Sequence, residues 1–135
     1  MEKKYSSPDK KHLARLIYES EIRFGPAYFR LEINGLIIPG KLFGGKLFWS
    51  PNSKYIAAEE WLTTDYSKGP VTRLLLIDLE TKKACAFKKI HKGFLKNVEF
   101  LCDGIKYIKE YASTGQGTES VVDYANIINW KKVGL

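Results

Sequence analysis

The sequence predicts an all-β chain, an antiparallel meander of about three repeats of one supersecondary unit. Three observations carry this. The apolar runs alternate with period two between turn residues and are rich in β-branched and aromatic side chains, the pattern of strands. No segment carries an apolar stripe at helical spacing. The chain also repeats itself: SPDKKHLA, Ser7 to Ala14, returns as SPNSKYIA, Ser50 to Ala57, with Pro8 and Pro51 43 residues apart. Each copy is followed by a Gly-Pro (Gly25-Pro26, Gly69-Pro70) and a second apolar run, from Tyr28 and from Arg73. A weaker third copy places KYI at Lys106 to Ile108 against KYI at Lys54 to Ile56. Self-similarity at a period of roughly 40–50 residues means one unit used several times. The repeats run approximately over 7–43, 46–91 and 94–133 of a single domain, 1–135.

The elements follow in order. His12 to Tyr18 forms the first strand and Tyr28 to Asn34 pairs back on it; the first repeat is expected to lack an opening strand. Leu36 to Ile38 and Lys46 to Ser50 come next, divided by Pro39-Gly40 and Gly44-Gly45. Pro51 then fixes φ for a turn and Asn52 bonds its own backbone. Lys54 to Trp61 is the following strand, with Ile56 pointing inward between outward neighbours. Beyond Ser67 to Pro70 lies Arg73 to Leu79. Ala84 to Ile90, Phe94 to Leu101, Ile105 to Tyr111, Val121 to Ile127 and Trp130 to Val133 complete the set. Their punctuation is Glu80 to Lys83, Lys92-Gly93, Asp103-Gly104 and Ser113 to Gly117. Asp103-Gly104 reads as the third version of the Ser-Pro turn.

A strand, then Ser-Pro-Asp/Asn-x-Lys-x-Leu/Ile-Ala, then a hairpin to an apolar strand ending Asp78-Leu79-Glu80-Thr81, resembles the blade repeat of β-propellers. The closest kind is the TolB-like, WD-related class, and the resemblance covers most of the chain. It implies antiparallel blades and says little about function, because propellers host many functions. Closed propellers have about four to eight blades. Three copies therefore imply an open or partial propeller, a homodimer that completes the ring, or a partner covering the edges.

At 135 residues the chain suits one domain with a sizeable core. No apolar run reaches the roughly 20 residues of a membrane helix, and the N-terminal residues lack the apolar core of a secretory signal, so the expected location is cytoplasmic. Cys85 and Cys102 are expected to be buried free thiols, with a bridge between them only in an exported chain. Net charge is +7, and Arg15, Arg23, Arg30 and Arg73 are the only arginines. Bidentate phosphate and base contacts favour arginine, so this lysine-borne charge suits an acidic protein better than nucleic acid.

Catalytic chemistry is sparsely provided for. His12 and His91 are the only histidines, and there is no nucleophile-elbow sequence. Cys85, His91, Cys102 and Asp103 are metal-ligand types without a metal-site spacing, so no metal and no cofactor is expected. Glu59 and Glu60 are adjacent; on a strand they face opposite sides and cannot work as a converging pair. Each reads as a solvated charge. Ser113 to Ser120 is glycine-rich but lacks the Gly-Lys-Ser/Thr ending of a phosphate loop, and reads as a hairpin tip.

Two regions remain as candidate binding surfaces. Lys82, Lys83, Lys88, Lys89, Lys92 and Lys96 form the densest basic stretch, either a solvated strand or a docking face. The second follows from strand phase, since successive loops of a meander alternate between two edges. Loops at Glu19 to Ala27, Trp61 to Pro70 and Tyr111 to Glu119 share one edge, with Pro39 to Lys46 and His91 to Gly93. That edge gathers Arg23, Phe24, Trp61, Asp65, Tyr66, Lys68, His91, Lys92 and Tyr111, aromatic and basic residues suited to partner binding. The expectation is a non-enzymatic protein-binding module with an acidic partner. By analogy of size and missing chemistry it resembles small bacterial immunity proteins, which neutralise a cognate toxin by occluding its surface. The alternative is a nucleic-acid-associated protein using the lysines between Ala84 and Lys96.

Overall fold

A computed structural model describes residues 2–135 and is all-β, with antiparallel pairing throughout. The strands are β1 (Glu2–Ser6), β2 (Leu13–Glu21), β3 (Ala27–Ile33), β4 (Leu36–Ile37), β5 (Leu42–Trp49), β6 (Tyr55–Trp61) and β7 (Val71–Asp78). They continue with β8 (Lys83–Ala86), β9 (Ile90–His91), β10 (Gly93–Phe100), β11 (Gly104–Tyr111), β12 (Gly117–Asp123) and β13 (Lys131–Lys132). Ten form one sheet in the order β1-β2-β3-β5-β6-β7-β8-β13, with β4 beside β3 and β9 beside β7; β10-β11-β12 make a second sheet. Among the described residues no helix is long and apolar enough to cross a membrane.

The sheets stack as three layers, because the large sheet is joined in its middle by a single residue pair, Phe29 with Phe43, and curls there. Ala14, Leu16, Phe29, Leu31 and Ile33 of β2 and β3 close over Ile56, Ala58, Leu75 and Ile77 of β6 and β7. The opposite face of β6 and β7, carrying Tyr55, Ala57, Leu74 and Leu76, packs on Leu95, Val98, Ile105 and Tyr107 of the smaller sheet. The middle layer is thus covered on both faces. Every residue of β6 is buried, so the neighbours of Ile56 point into a second core and not outward. Val133 and Leu135 reach the first core after β13 has paired with β8.

The outer faces of the stack are finished surfaces. On the first layer Arg15 bridges Glu2 and Glu32, and Arg30 pairs with Glu19. On the third, Lys106 pairs with Glu99 and Lys96 with Glu110. Such solvated pairs contribute little energy each, but they mark faces turned to water. The sheets do not close into a ring.

The repeated phrase is reproduced bond for bond. In both copies the serine hydroxyl donates to the Asx side chain (Ser7 to Asp9; Ser50 to Asn52, 2.6 Å) and accepts the amide five residues on (His12 N, 3.0 Å; Tyr55 N, 2.9 Å). Both turns pass through positive φ at equivalent residues, Lys10 at 64° and Ser53 at 62°. The turns also touch, Asp9 N donating to Ser53 Oγ at 3.0 Å. The third unit departs from this: Leu101 N bonds Gly104 O across a tighter turn with no serine.

Several boundaries correct the sequence reading. The first unit does possess an opening strand, β1, which pairs with β2 from Glu2 to Ser6. Ala84 to Ile90 is interrupted, giving β8 and the two-residue β9. The last long strand is Gly117–Asp123 and not Val121 to Ile127, so half of the glycine-rich stretch is strand, and a 3-10 turn occupies Tyr124–Asn126. Cys85 is buried but Cys102 is exposed, and both are free.

Candidate docking surface

Three of the loops assigned to one edge are bonded to one another. Lys92 N donates to Pro70 O and Ala112 N to Lys92 O at 2.9 Å, tying the β6–β7 loop, the β9–β10 junction and the β11–β12 loop together. Lys68 and Lys92 line the resulting cleft with Gly69, Pro70 and Ala112. Asp65 spends its carboxylate within its own loop, accepting Ser67 N, which holds its pKa below the usual value. Arg23 and Phe24 form the tip of the β2–β3 hairpin, the guanidinium 5.2 Å from the ring centroid, and Phe24 is 97% exposed. His91 is exposed and Tyr111 half-buried.

Trp61 does not present itself at this edge. It is 5% exposed and packs on Tyr28, Tyr66 and Phe94, so it supports the loops from below. Beneath it lies the buried carboxylate of Glu59, which accepts Trp61 Nε1 at 3.1 Å and Leu95 N at 2.8 Å. Burial pushes the pKa of Glu59 up, against the pull of those donors and of Lys46. Glu60 lies on the opposite face and is equally buried, taking Arg73 Nε at 2.8 Å and Lys41 Nζ at 3.0 Å. Neither is the solvated charge that the sequence suggested, because β6 runs through the middle layer.

Glu59 faces a cavity of about 340 Å³ whose wall includes Trp61, Phe94 and Lys46. Two irregularities open it. The β5–β6 register shifts across Gly44 to Lys46, and the β10–β11 register shifts at Lys96. Lys46 Nζ bonds Leu95 O, linking one irregularity to the other. Glu59 thus holds the second bulge by its freed amide, as bulges at sheet rims require. The nearby Tyr66 hydroxyl is buried without a partner among the described residues, and burial, then the charge of Glu59, push its pKa up. Among the described residues no group of three or more His, Cys, Asp or Glu is gathered as a metal site, Cys85, His91, Cys102 and Asp103 included.

The lysine-rich stretch is rearranged by the fold. Lys96 leaves it, paired with Glu110 on the smaller sheet. Lys131 and Lys132 join it, because β13 returns from the far end of the chain to pair with β8. The resulting strip is Lys82, Lys83, Lys88, Lys89, Lys92, Lys131 and Lys132, all exposed and, among the described residues, none in an ion pair. Residues 82–92 and 124–135 contain no Asp or Glu. The seven lysines therefore equal the whole net charge of +7, and the other 15 cationic and 15 anionic side chains cancel. Lys83 lies directly opposite Lys132, a like-charge cross-strand pair that costs stability.

This second surface was only half legible. Its first five members adjoin in sequence, but the signal that adds Lys131 and Lys132 is a two-residue pairing across about 48 positions. Compared with family models, with curated proteins and with solved structures, the chain matches none.

Proposed function

We propose that this chain is a non-enzymatic protein-binding module that docks an acidic partner, in the manner of an immunity protein that neutralises a toxin by covering it. The observation that carries the reading is the lysine strip: seven exposed lysines, as many as the net charge of +7, drawn from two segments without Asp or Glu, with Lys83 directly opposite Lys132. An acidic partner relieves the repulsion of that pair on binding and is steered to the strip electrostatically. The loop edge adjoins through Lys92 and adds Phe24 as an exposed apolar contact. The same reading takes the three strand–turn–strand units as propeller-blade-like repeats serving as scaffold, and the matched serine turns support that.

The test is titration of the purified chain with the product of the neighbouring reading frame. Micromolar or tighter binding at low salt, weakening as salt rises, is expected; no binding at micromolar concentration and low salt overturns the proposal. Nucleic acid is the weaker reading, because single-strand binding wants aromatic faces beside the cations. Phe87, between Ala86 and Lys88, instead packs inward on Tyr107.

A further inference from the structure

Behind the lysine strip lies a cleft of about 560 Å³ between β7, β8 and the C-terminal segment. Its lining includes Leu75, Ala84 and Ala86, small and apolar, with Lys41, Arg73 and Lys131 as cations and Asn129 beside them. Lys132 extends the cationic lining to the strip outside. Four cationic side chains line the cleft and none of its lining residues is acidic; the acid bonded to two of those cations is Glu60, buried at 4% exposed.

Glu60 orders two of them. One oxygen takes Arg73 through Nε, and the other takes Lys41. Among the described residues Nη1 and Nη2 of Arg73 donate to nothing, and the side chain is 23% exposed. The guanidinium is therefore held by one donor with its paired terminal donors unspent. That is the preorganised state in which arginine takes a carboxylate or phosphate bidentately. Lys131 and Lys132 are also unspent, and the alanines leave room for an aliphatic stem beside the charge.

We propose that this cleft is the anchoring subsite of the docking surface, receiving one Asp or Glu side chain of the partner on the Arg73 fork, with its methylenes over Leu75, Ala84 and Ala86. This rests on the protein-binding reading and adds to it a single buried contact where the lysine strip supplies only diffuse attraction. A few such anchors, arginine prominent among them, carry most of the binding energy of an interface.

The full chain is titrated with a hexaglutamate peptide, with inorganic phosphate and with a thymidine oligonucleotide of equal charge, following the Arg73 Nε–H and Asn129 resonances by nitrogen-edited NMR. The expected result is saturable shifts at both with the peptide. Arg73→Lys, which keeps a cation beside Glu60 but loses the fork, weakens peptide binding about tenfold. Ala86→Leu, which fills the cleft and alters no charge, weakens it at least as much, while urea unfolding verifies that both variants fold. If neither variant changes peptide affinity while removal of Lys83 and Lys132 does, the cleft proposal fails and the protein-binding reading stands. If phosphate or the oligonucleotide shifts Arg73 and the peptide does not, both fail. The cleft proposal also fails if no probe moves either resonance.

Discussion

Gly44→Ala is the sharpest perturbation of the scaffold under the loop edge. The glycine sits in ordinary backbone conformation, so only space explains it. A methyl group there would overlap Glu59 Oε1 outright and lie 2.9 Å from Glu59 Cδ and from Trp61 Nε1. The carboxylate would have to leave, stranding Trp61 Nε1 and Leu95 N, both now bonded to it in buried positions. A buried polar group left unpaired costs about 1–3 kcal/mol, so the two together give roughly 2–6 kcal/mol, a large part of the ~5–15 kcal/mol that holds a domain. Gly45→Ala is the control. Its new methyl group meets chiefly Lys3 Nζ, the mobile end of an exposed side chain, and should cost less than about 1 kcal/mol. Urea unfolding followed by tryptophan fluorescence reads both. In a cycle with Glu59→Ala, which removes the obstructing carboxylate, Gly44→Ala should become far cheaper, with a coupling of about 1 kcal/mol or more. Equal costs at the two glycines, or strict additivity in the cycle, would refute the reasoning.

Three further outcomes are expected. Lys132→Glu, placing an anion opposite Lys83, should stabilise the chain by about 0.2–1 kcal/mol at low salt and lose that gain near 1 M salt, while weakening acidic-partner binding; a destabilised variant would contradict the like-charge argument. The raised pKa of Glu59 means that its ionisation is opposed by the fold, so its contribution is fullest below its ordinary value of 4.5 and is lost as pH climbs through the raised folded value. The stability advantage of wild type over Glu59→Gln should therefore shrink as pH rises from 4.5, and a growing advantage in urea titrations at stepped pH would reverse the sign. Cys102 should react with a thiol reagent in the native chain, and Cys85, buried and with its pKa pushed up by burial, only on unfolding; two native equivalents would place Cys85 at the surface.

Much of the fold was legible. Alternation located most strands, and the SPDKKHLA and SPNSKYIA phrases gave two turns whose serine and Asx bonds match pair by pair. β1 escaped because EKKYS has no apolar alternation; it is set by pairing with β2 and by bonds reaching β5, such as Trp49 Nε1 to Tyr5 O. Strand phase also placed on one side the three loops that Lys92 ties together. Within the loop edge, Trp61 went inward, covered in part by Phe94 of the smaller sheet, while Phe24 stayed exposed at the β2–β3 tip.

What the sequence by itself determined was local: strand phase, turn chemistry, and the excess of lysine over carboxylate. These need only neighbouring residues, because side chains alternate along a strand and a serine cap closes within five positions. Tertiary structure decided which strand lies in the middle layer, and so made Glu59 and Glu60 buried partners of Trp61 and Arg73 in place of surface charges. It also decided that β13 pairs with β8, bringing Lys131 and Lys132 to the lysines of β8 and to the cleft that Arg73 lines. Burial and charge density depend on which surfaces meet, and residues far apart in the chain carry no mark of one another until the sheets stack.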